Sequence, residues 1–292
     1  MLGDGGCEFR RHLIPETRHP MPVITLLTDF GSADYFVGAM KGVILSINPD
    51  ATIVDITHEI PPQDIETGAF NLLSCYRQFP AGTIHVAVVD PGVGSDRRAI
   101  VIECAGQLLI GPDNGLFSWI CEREKDWTAT QITNHKFFRK PISHTFHGRD
   151  IFAPVAAALS AGHEPHEFGP ALTDLTKLPS LEPTTLNENT VDGRIIHIDR
   201  FGNCVTNFTR ETLALRGAAT SWRILLNDRE IDSFRDFFAD SQPNEVFAIL
   251  GSAGFIEICL RNSSAANLLN IQRGQSVQLW GSALREIRAR SM

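Results

Sequence analysis

Short apolar runs alternate with helical patterns through the first part of the chain. Val23–Leu27, Ala51–Ile56 and Thr83–Val89 are apolar runs of strand length, each followed by polar or turn-forming residues. Apolar positions spaced three and four residues apart predict a helix capped by Asp34, and a second helix over Ile65–Phe79. Strand–helix–strand repetition of this kind predicts an α/β domain with a largely parallel sheet flanked by helices.

Two further segments extend this unit. Ala99–Glu103 and Gln107–Ile110 follow one another so closely that they predict an antiparallel hairpin added to the sheet. A helical pattern runs from about Asp150 to Ser160, and Pro154 fits it only in the first turn, where no backbone N–H is needed.

The pattern changes after residue 172. Residues 173–190 are rich in proline, threonine and polar residues and predict a linker. The remainder, residues 191–292, carries short strand-like segments with little helix, which predicts a small β-barrel-like domain. The predicted order is therefore a flexible tail (1–20), an α/β domain (21–172), the linker and the β-rich domain.

Composition narrows the classes of function. The 292-residue chain carries a formal charge of −8, which argues against general nucleic-acid binding. No apolar run approaches the roughly 18 residues that indicate a membrane span. Six cysteines lie far apart without a C-x-x-C pair, which predicts free thiols in a cytoplasmic protein; they are Cys7, Cys75, Cys104, Cys121, Cys204 and Cys259.

Polar residues concentrate in four loops, at least three of which follow predicted strands. Ligands of open parallel sheets bind beyond the carboxyl ends of the strands, so these loops predict one shared site. Taken singly, each loop could equally be a plain turn. In the third, Arg97 stands seven residues beyond Asp90 and can fold back to pair with it. The loops are Thr28–Asp34, Asp55–Glu59, Asp90–Arg97 and Thr145–Asp150.

Several motifs in order resemble one family. The chain resembles the S-adenosylmethionine (SAM) hydroxide adenosyltransferases, relatives of the fluorinases and chlorinases, from about Val23 to Trp280. This resemblance implies an α/β domain joined to a small β domain, and a homotrimer whose sites lie between subunits. The motifs are ITLLTDFGSADYFVGAMKGVI, DITHEIPPQDIETGAF, VVDPGVGSDRRAIVI, GPDNGLF, TFHGRDIFAPVAAALSAG, IDRFGNCVTNF and GSAGFIEICL.

The resemblance implies a reaction and its catalytic residues. Family members of the hydrolase branch hold a water with an Asp, an Arg and a His, which match Asp90, Arg97 and His147. The implied reaction is attack of this water at ribose C5′ of SAM, which releases adenosine and methionine. The departing thioether is neutral and needs no acid, so neither a metal nor a cofactor is expected.

The resemblance also implies the substrate-binding residues. Asp29 matches the carboxylate that binds the ribose hydroxyls, and Phe146 matches an aromatic residue beside the sugar. The other matches are to the methionine and adenine moieties, at Asp34, Asp199, Phe201, Asn203, Phe238 and Ser252. The chain departs from the fluorinase pattern at Ala253, where the fluorinase has an arginine that binds the methionine carboxylate. Recognition of that carboxylate must therefore differ here.

Three other functions stay open at this stage. One is a metal-dependent phosphoesterase, and its candidate ligands are Asp29, Asp34, Asp55, His58, Asp90 and His147. The others are a module that binds adenosine or SAM without turnover, and a halide in place of water as nucleophile. His58 and Glu59 receive no specific role beyond packing or capping.

Overall fold

The structure is a computed structural model that describes residues 23–214 and 221–282. The predicted tail and Cys7 lie outside the described residues. The N-terminal sheet contains β1 (Val23–Thr28), β2 (Thr52–Thr57), β3 (Ile84–Val88), β4 (Ala99–Cys104), β5 (Gln107–Pro112), β6 (Trp127–Gln131) and β7 (Ala171–Leu172). The helices around it are α1 (Phe36–Ile47), α2 (Ile65–Cys75), α3 (Ser118–Glu124) and α4 (Ala153–Ser160).

The N-terminal sheet is mixed, with strand order β2-β1-β3-β5-β4-β6-β7. The pairs among β2, β1, β3 and β5 are parallel, whereas β4, β6 and β7 pair antiparallel. The predicted hairpin of β4 and β5 is confirmed, but the sheet is only half parallel. The antiparallel pairing of β4 with β5 follows from the two-residue turn at Ala105 and Gly106, whose φ angles of 52° and 72° fit a tight hairpin.

Two apolar layers cover the sheet. On one face α1 and α4 bury Met40, Ile44 and Val155 against the strands. On the other, α2 and α3 bury Leu72 and Trp119 in a cluster that continues into the C-terminal part of the chain. With both faces of the sheet buried in this way, the carboxyl ends of its parallel strands are the place for a site.

Helix boundaries differ from the predictions at two ends. Asp34 is not the cap of α1, because the helix begins at Phe36 after Tyr35 and has no side-chain cap; Asp34 lies exposed in the preceding bend. The second helix ends at Cys75 and continues as a single 3₁₀ turn. Pro154 stands in the first turn of α4 as predicted.

The C-terminal sheet has nine strands among the described residues and curls so that β12 contacts β14. Its strands are β8 (Thr184–Asn187), β9 (Thr190–Ile198), β10 (Cys204–Thr209), β11 (Ser221–Leu226), β12 (Arg229–Ile231), β13 (Phe234–Arg235), β14 (Val246–Leu250), β15 (Phe255–Leu260) and β16 (Ser276–Ser282). Two short helices accompany them, α5 (Arg210–Ala214) and α6 (Ala265–Leu269). The predicted β-rich unit is therefore observed as a curled sheet.

The segment between the two sheets is held in place. Trp119 donates from Nε1 to the carbonyl of Pro179, and Asp174 pairs with Arg98. β8 forms inside the predicted linker and pairs with β9. Across the junction, Phe70 of α2 stacks on His197 of β9 with 4.4 Å between ring centroids. The predicted division into domains stays a prediction.

Candidate active site

Asp90, Arg97 and His147 form one hydrogen-bonded cluster. Arg97 Nη2 donates to Asp90 Oδ2 at 2.6 Å and to His147 Nδ1 at 2.7 Å, and Arg97 Nε lies 3.0 Å from both carboxylate oxygens. The side chains of Arg97 and Asp90 are only 11% and 5% exposed. A guanidinium has no acceptor, so His147 must accept at Nδ1, which makes it neutral with its proton on Nε2.

The electrostatics of the cluster favour that neutral imidazole. Burial, with the nearby charge of Arg97, lowers the pKa of His147 below its ordinary value. The Arg97 guanidinium also lies 5.3 Å from the ring centroid of Phe152. The cation is thus held between a carboxylate, an imidazole and an aromatic face, and it is available to stabilise negative charge on an oxygen beside it.

Local turn chemistry brings Asp90 and Arg97 together. Asp90 follows β3, and the chain then turns tightly, with Val93 N donating to the Asp90 carbonyl. Gly94 has φ of 79°, and a Cβ there would lie 2.3 Å from the carbonyl oxygen of His144. Only glycine permits this contact, which presses the Asp90 loop against the segment that leads to His147.

A π turn and a buried carboxylate hold the segment that carries His147. Residues Gly148–Phe152 form a π turn in front of α4, a feature that is frequent at functional sites. Asp150 is fully buried there and accepts hydrogen bonds from Arg149 at 2.7 Å and Ser143 N at 2.8 Å. These donors hold the pKa of Asp150 below its usual range against the opposing effect of burial. Asp150 is therefore a buried anchor of the loop.

Asp29 lies at the carboxyl end of β1, close to the cluster. Its Oδ2 accepts from Gln63 N at 2.8 Å. Partial burial, with a smaller contribution from the charge of Asp90, raises the pKa of Asp29. The other predicted residue here, Phe146, is buried and packs edge-on against Phe36 with centroids 5.2 Å apart. Together with the cluster, these residues place carboxylates, a cation and an apolar wall at one edge of the sheet.

The predicted residues of the C-terminal part meet in a different place. A cavity of about 860 Å³ is lined by all five of them: Asp199, Phe201, Asn203, Phe238 and Ser252. Asp199 Oδ1 accepts from Phe201 N and Asn203 N, each at 2.8 Å, and Oδ2 accepts from Asn203 Nδ2 at 2.8 Å. The carboxylate thereby shapes the loop that carries the aromatic ring and the amide.

Within one chain these two groups stay apart. The residues that line the C-terminal cavity include none of the Asp90 cluster, nor Asp29 or Phe146. Phe201 and Phe238 are 76% and 44% exposed, which is unusual for aromatic rings of this size. Asp34 is exposed in the bend before α1 and does not line the cavity. The structure therefore shows two separate groups of predicted site residues, which we call the catalytic cluster (Asp90, Arg97, His147) and the C-terminal cavity, and we refer to each as a candidate half-site.

Two of the candidate metal ligands, His58 and Asp55, are engaged in other contacts. His58 bonds through Nδ1 to Thr28 Oγ1 at 2.9 Å, and its Nε2 lies 3.1 Å from Asp55, which Lys41 also contacts. Among residues 23–214 and 221–282, no group of three or more His, Cys, Asp or Glu is placed to hold a metal ion. His58 also holds the Asp29 loop, because Gly31 N donates to the His58 carbonyl at 2.8 Å.

Sequence reasoning missed one acidic residue of the cavity. Glu257, on β15, lines the C-terminal cavity together with Asp199. It stands in the strand Phe255–Leu260, where a single polar residue is typical of a solvent-facing position. The quoted motif GSAGFIEICL contains it, but neither the motif nor the alternation indicated a role.

The protein combines an α/β sheet with a curled β-sheet, and it carries a carboxylate–guanidinium–imidazole cluster at the edge of the first sheet. This combination of fold and site is the basis for the comparison with known families. Residues 24–169 match the family described as SAM hydroxide adenosyltransferase N-terminal domain, and residues 193–278 match its C-terminal domain. The chain belongs to the SAM hydroxide adenosyltransferase family. No helix in the described part of the chain is long and apolar enough to cross a membrane.

Individual relatives agree with this assignment. The chain is 36% identical over 272 residues to a protein of Methanocaldococcus jannaschii named (R)-S-adenosyl-L-methionine hydrolase, covering 89% of this chain and 96% of that one. It is 28% identical over 287 residues to a fluorinase of Actinoplanes, covering 88% and 96%. A crystal structure of an uncharacterized conserved protein from Thermotoga maritima superposes with a TM-score of 0.82 at 34% identity, covering 88% of this chain and 99% of that one.

Proposed function

We propose that this protein hydrolyses S-adenosyl-L-methionine to adenosine and L-methionine. The observation that carries the proposal is the catalytic cluster of Asp90, Arg97 and His147, in a chain that shares its family with named SAM hydrolases. The relatives' names specify the (R) form of the sulfonium, so both epimers at sulfur are relevant substrates.

The cluster suits the activation of a water. Attack at C5′ displaces a neutral thioether, so the difficulty lies in the weak nucleophile and its alignment with the breaking bond. Asp90 accepts a hydrogen bond or proton from the water, and Arg97 stabilises the developing hydroxide. His147, with its Nδ1 occupied by Arg97, offers Nε2–H as a further donor. Alignment of the water in line with the C5′–S bond supplies the rest of the acceleration.

The substrate is held from both half-sites in this proposal. Asp29 accepts from the ribose hydroxyls, and Phe146 lines the sugar. In the C-terminal cavity, Phe201 and Phe238 enclose the adenine, Asn203 pairs with its edge, and Ser252 and Asp199 lie at the amino-acid end. Asp34 is kept as a contact near methionine, and its exposure in one chain fits this role only if a neighbouring copy covers it.

A homotrimer would join the half-sites. The C-terminal cavity contains none of the catalytic cluster, and its aromatic rings are exposed in one chain. A second copy whose catalytic cluster faces this cavity completes the site, and closed cyclic symmetry repeats it three times.

The five described cysteines are unpaired, which supports a cytoplasmic location.

The test is incubation of chelator-treated protein with each epimer of SAM, followed by chromatography of the nucleosides. We expect adenosine and methionine in equal amounts without added metal, which would also exclude the metal-dependent alternative. Retention of adenosine or SAM without product would instead indicate a binding module. A 5′-halo nucleoside formed in the presence of chloride or fluoride would indicate that halide replaces water.

A further inference from the structure

Glu257 is a half-buried carboxylate without a hydrogen-bond donor among the described residues. Its side chain extends from β15 into the C-terminal cavity and lies over the backbone of Gly251: a Cβ at that glycine would fall 1.8 Å from Glu257 Oε1. Burial, together with the charge of Asp199, raises the pKa of Glu257. A carboxylate held this way is stabilised by a cation that enters the cavity.

Asp199 lines the same cavity but differs from Glu257 in its hydrogen bonds. Three N–H groups donate to it, from the backbone of Phe201 and from Asn203. Glu257 has none of these, and no lysine, arginine or histidine stands among the described residues that line the cavity. The cavity therefore presents two carboxylates and no side-chain cation, so its electrostatic complement is a cationic ligand group.

The loop between β14 and β15 adds no cation either. Ala253 is not part of the C-terminal cavity; it lines a separate cleft between α3 and the C-terminal sheet and packs against the apolar cluster around Leu72. What the loop offers to the C-terminal cavity is Gly251 and the hydroxyl of Ser252. A ligand carboxylate therefore finds no side-chain charge to bind at this end.

We propose that Glu257, together with Asp199, binds the ammonium end of the sulfonium substrate, and that the site therefore also accepts adenosyl sulfonium amines that lack a carboxylate. This inference rests on the proposed hydrolysis of SAM. The reaction on such a substrate is the same: the C5′–S bond breaks with its electron pair going to sulfur, and a water oxygen bonds to C5′. The products are adenosine, a methylthioalkylamine and one proton released to solvent.

The experiment compares two substrates and two variants. The wild type, Glu257→Gln and the control Glu230→Gln are assayed with SAM and with its decarboxylated analogue. Glutamine in place of Glu257 keeps the shape of the side chain without its charge. Glu230 lies on β12 of the same sheet, pairs with Arg223 at the surface and is not among the residues lining the cavity.

We expect the wild type to hydrolyse the decarboxylated analogue with kcat/KM within about threefold of that for SAM. For Glu257→Gln, KM for both substrates should rise about tenfold, since a charge-assisted bond to the ammonium is lost, while kcat stays within about twofold. Inhibition by adenosine, which has no ammonium group, should keep its wild-type Ki in this variant. That constant, with an unchanged melting temperature, separates a loss of binding from a loss of folding.

Two results would overturn the inference while leaving the hydrolase intact. One is an unchanged KM of Glu257→Gln for SAM. The other is an analogue hydrolysed about a hundredfold less efficiently than SAM by the wild type, which would mean that a cation outside the cavity lining binds the carboxylate. Failure of the proposed function looks different, because the wild type would then release no adenosine from either epimer of SAM.

Discussion

The two half-sites differ in how far one chain completes them. In the catalytic cluster, Arg97 is bonded on both sides, and the side chains of Asp90 and Arg97 are almost fully covered. In the C-terminal cavity, Phe201 is largely exposed and Glu257 has no described donor. Folding of one chain satisfies the groups of the catalytic cluster, whereas the cavity keeps exposed aromatic surface that, in the proposed trimer, a ligand or a second copy would cover.

From this difference we infer that the catalytic cluster governs the chemical step and the C-terminal cavity governs substrate binding. The proposed water-binding groups sit on loops anchored by a sheet that is buried on both faces, so their geometry is fixed by the fold of one chain. The recognition groups stand on a curled sheet and its loops, where exposed aromatic surface gains the most from covering. Changes in the first half should therefore alter turnover, and changes in the second should alter binding.

The largest effect is expected from Asp90→Asn. Loss of the carboxylate removes the acceptor for the water and one partner of Arg97, so kcat should fall about 10²- to 10⁴-fold. Binding of adenosine, measured by calorimetry, should change little, because the nucleoside is held by other residues. A comparable loss of adenosine affinity would show that the two halves are not separable in this way.

Mixing two damaged variants, assayed at a SAM concentration low enough that neither alone turns over much substrate, tests whether the halves belong to different copies. Asp90→Asn damages the catalytic cluster and Asp199→Asn damages the C-terminal cavity. After subunit exchange at equal amounts, about a quarter of interfacial sites combine one intact half from each copy, so that fraction of the wild-type activity should return. If both halves came from the same chain, the mixture would be no more active than the two variants apart.

A neighbouring pair of phenylalanines sharpens the assignment of the cavity. Phe238→Ala and Phe201→Ala should each weaken adenosine binding about tenfold, the cost of losing one stacked ring, with little change in kcat. The matched control is Phe237→Ala, which removes an exposed ring that does not line the cavity. A loss for Phe237→Ala with none for Phe238→Ala would show that the preceding ring, and not Phe238, lies against the adenine.

The smallest effect at neutral pH is expected from the titration of His147. Its pKa is lowered, so the imidazole is neutral at pH 7. It stays neutral as the pH falls past about 6.5, the ordinary pKa of histidine. Protonation at Nδ1 would break the bond from Arg97, so kcat/KM should fall only as pH drops through this lowered pKa. His147→Asn, which keeps an acceptor near the same place, should lose this acidic limb. An acidic limb above pH 6.5 would contradict the assignment.

Several features could be predicted from the sequence because they depend on near neighbours. The pairing of Asp90 with Arg97 follows from a tight turn of seven residues, and the hairpin of β4 and β5 from a two-residue connection. The same local reasoning failed at Asp34, where a residue with good capping chemistry stands one position too early for the helix.

The chain by itself determined the alternation of strands and helices, the polar loops at strand ends and, through its motifs, the family. These depend on the period of the apolar residues and on turn chemistry, which act over a few positions. The resemblance grouped His147 with Arg97, but only the tertiary structure showed their direct contact across 50 residues of sequence and the position of Glu257 over Gly251 in a cavity with Asp199. Burial and charge at a site depend on which distant segments pack together, and no local pattern encodes that.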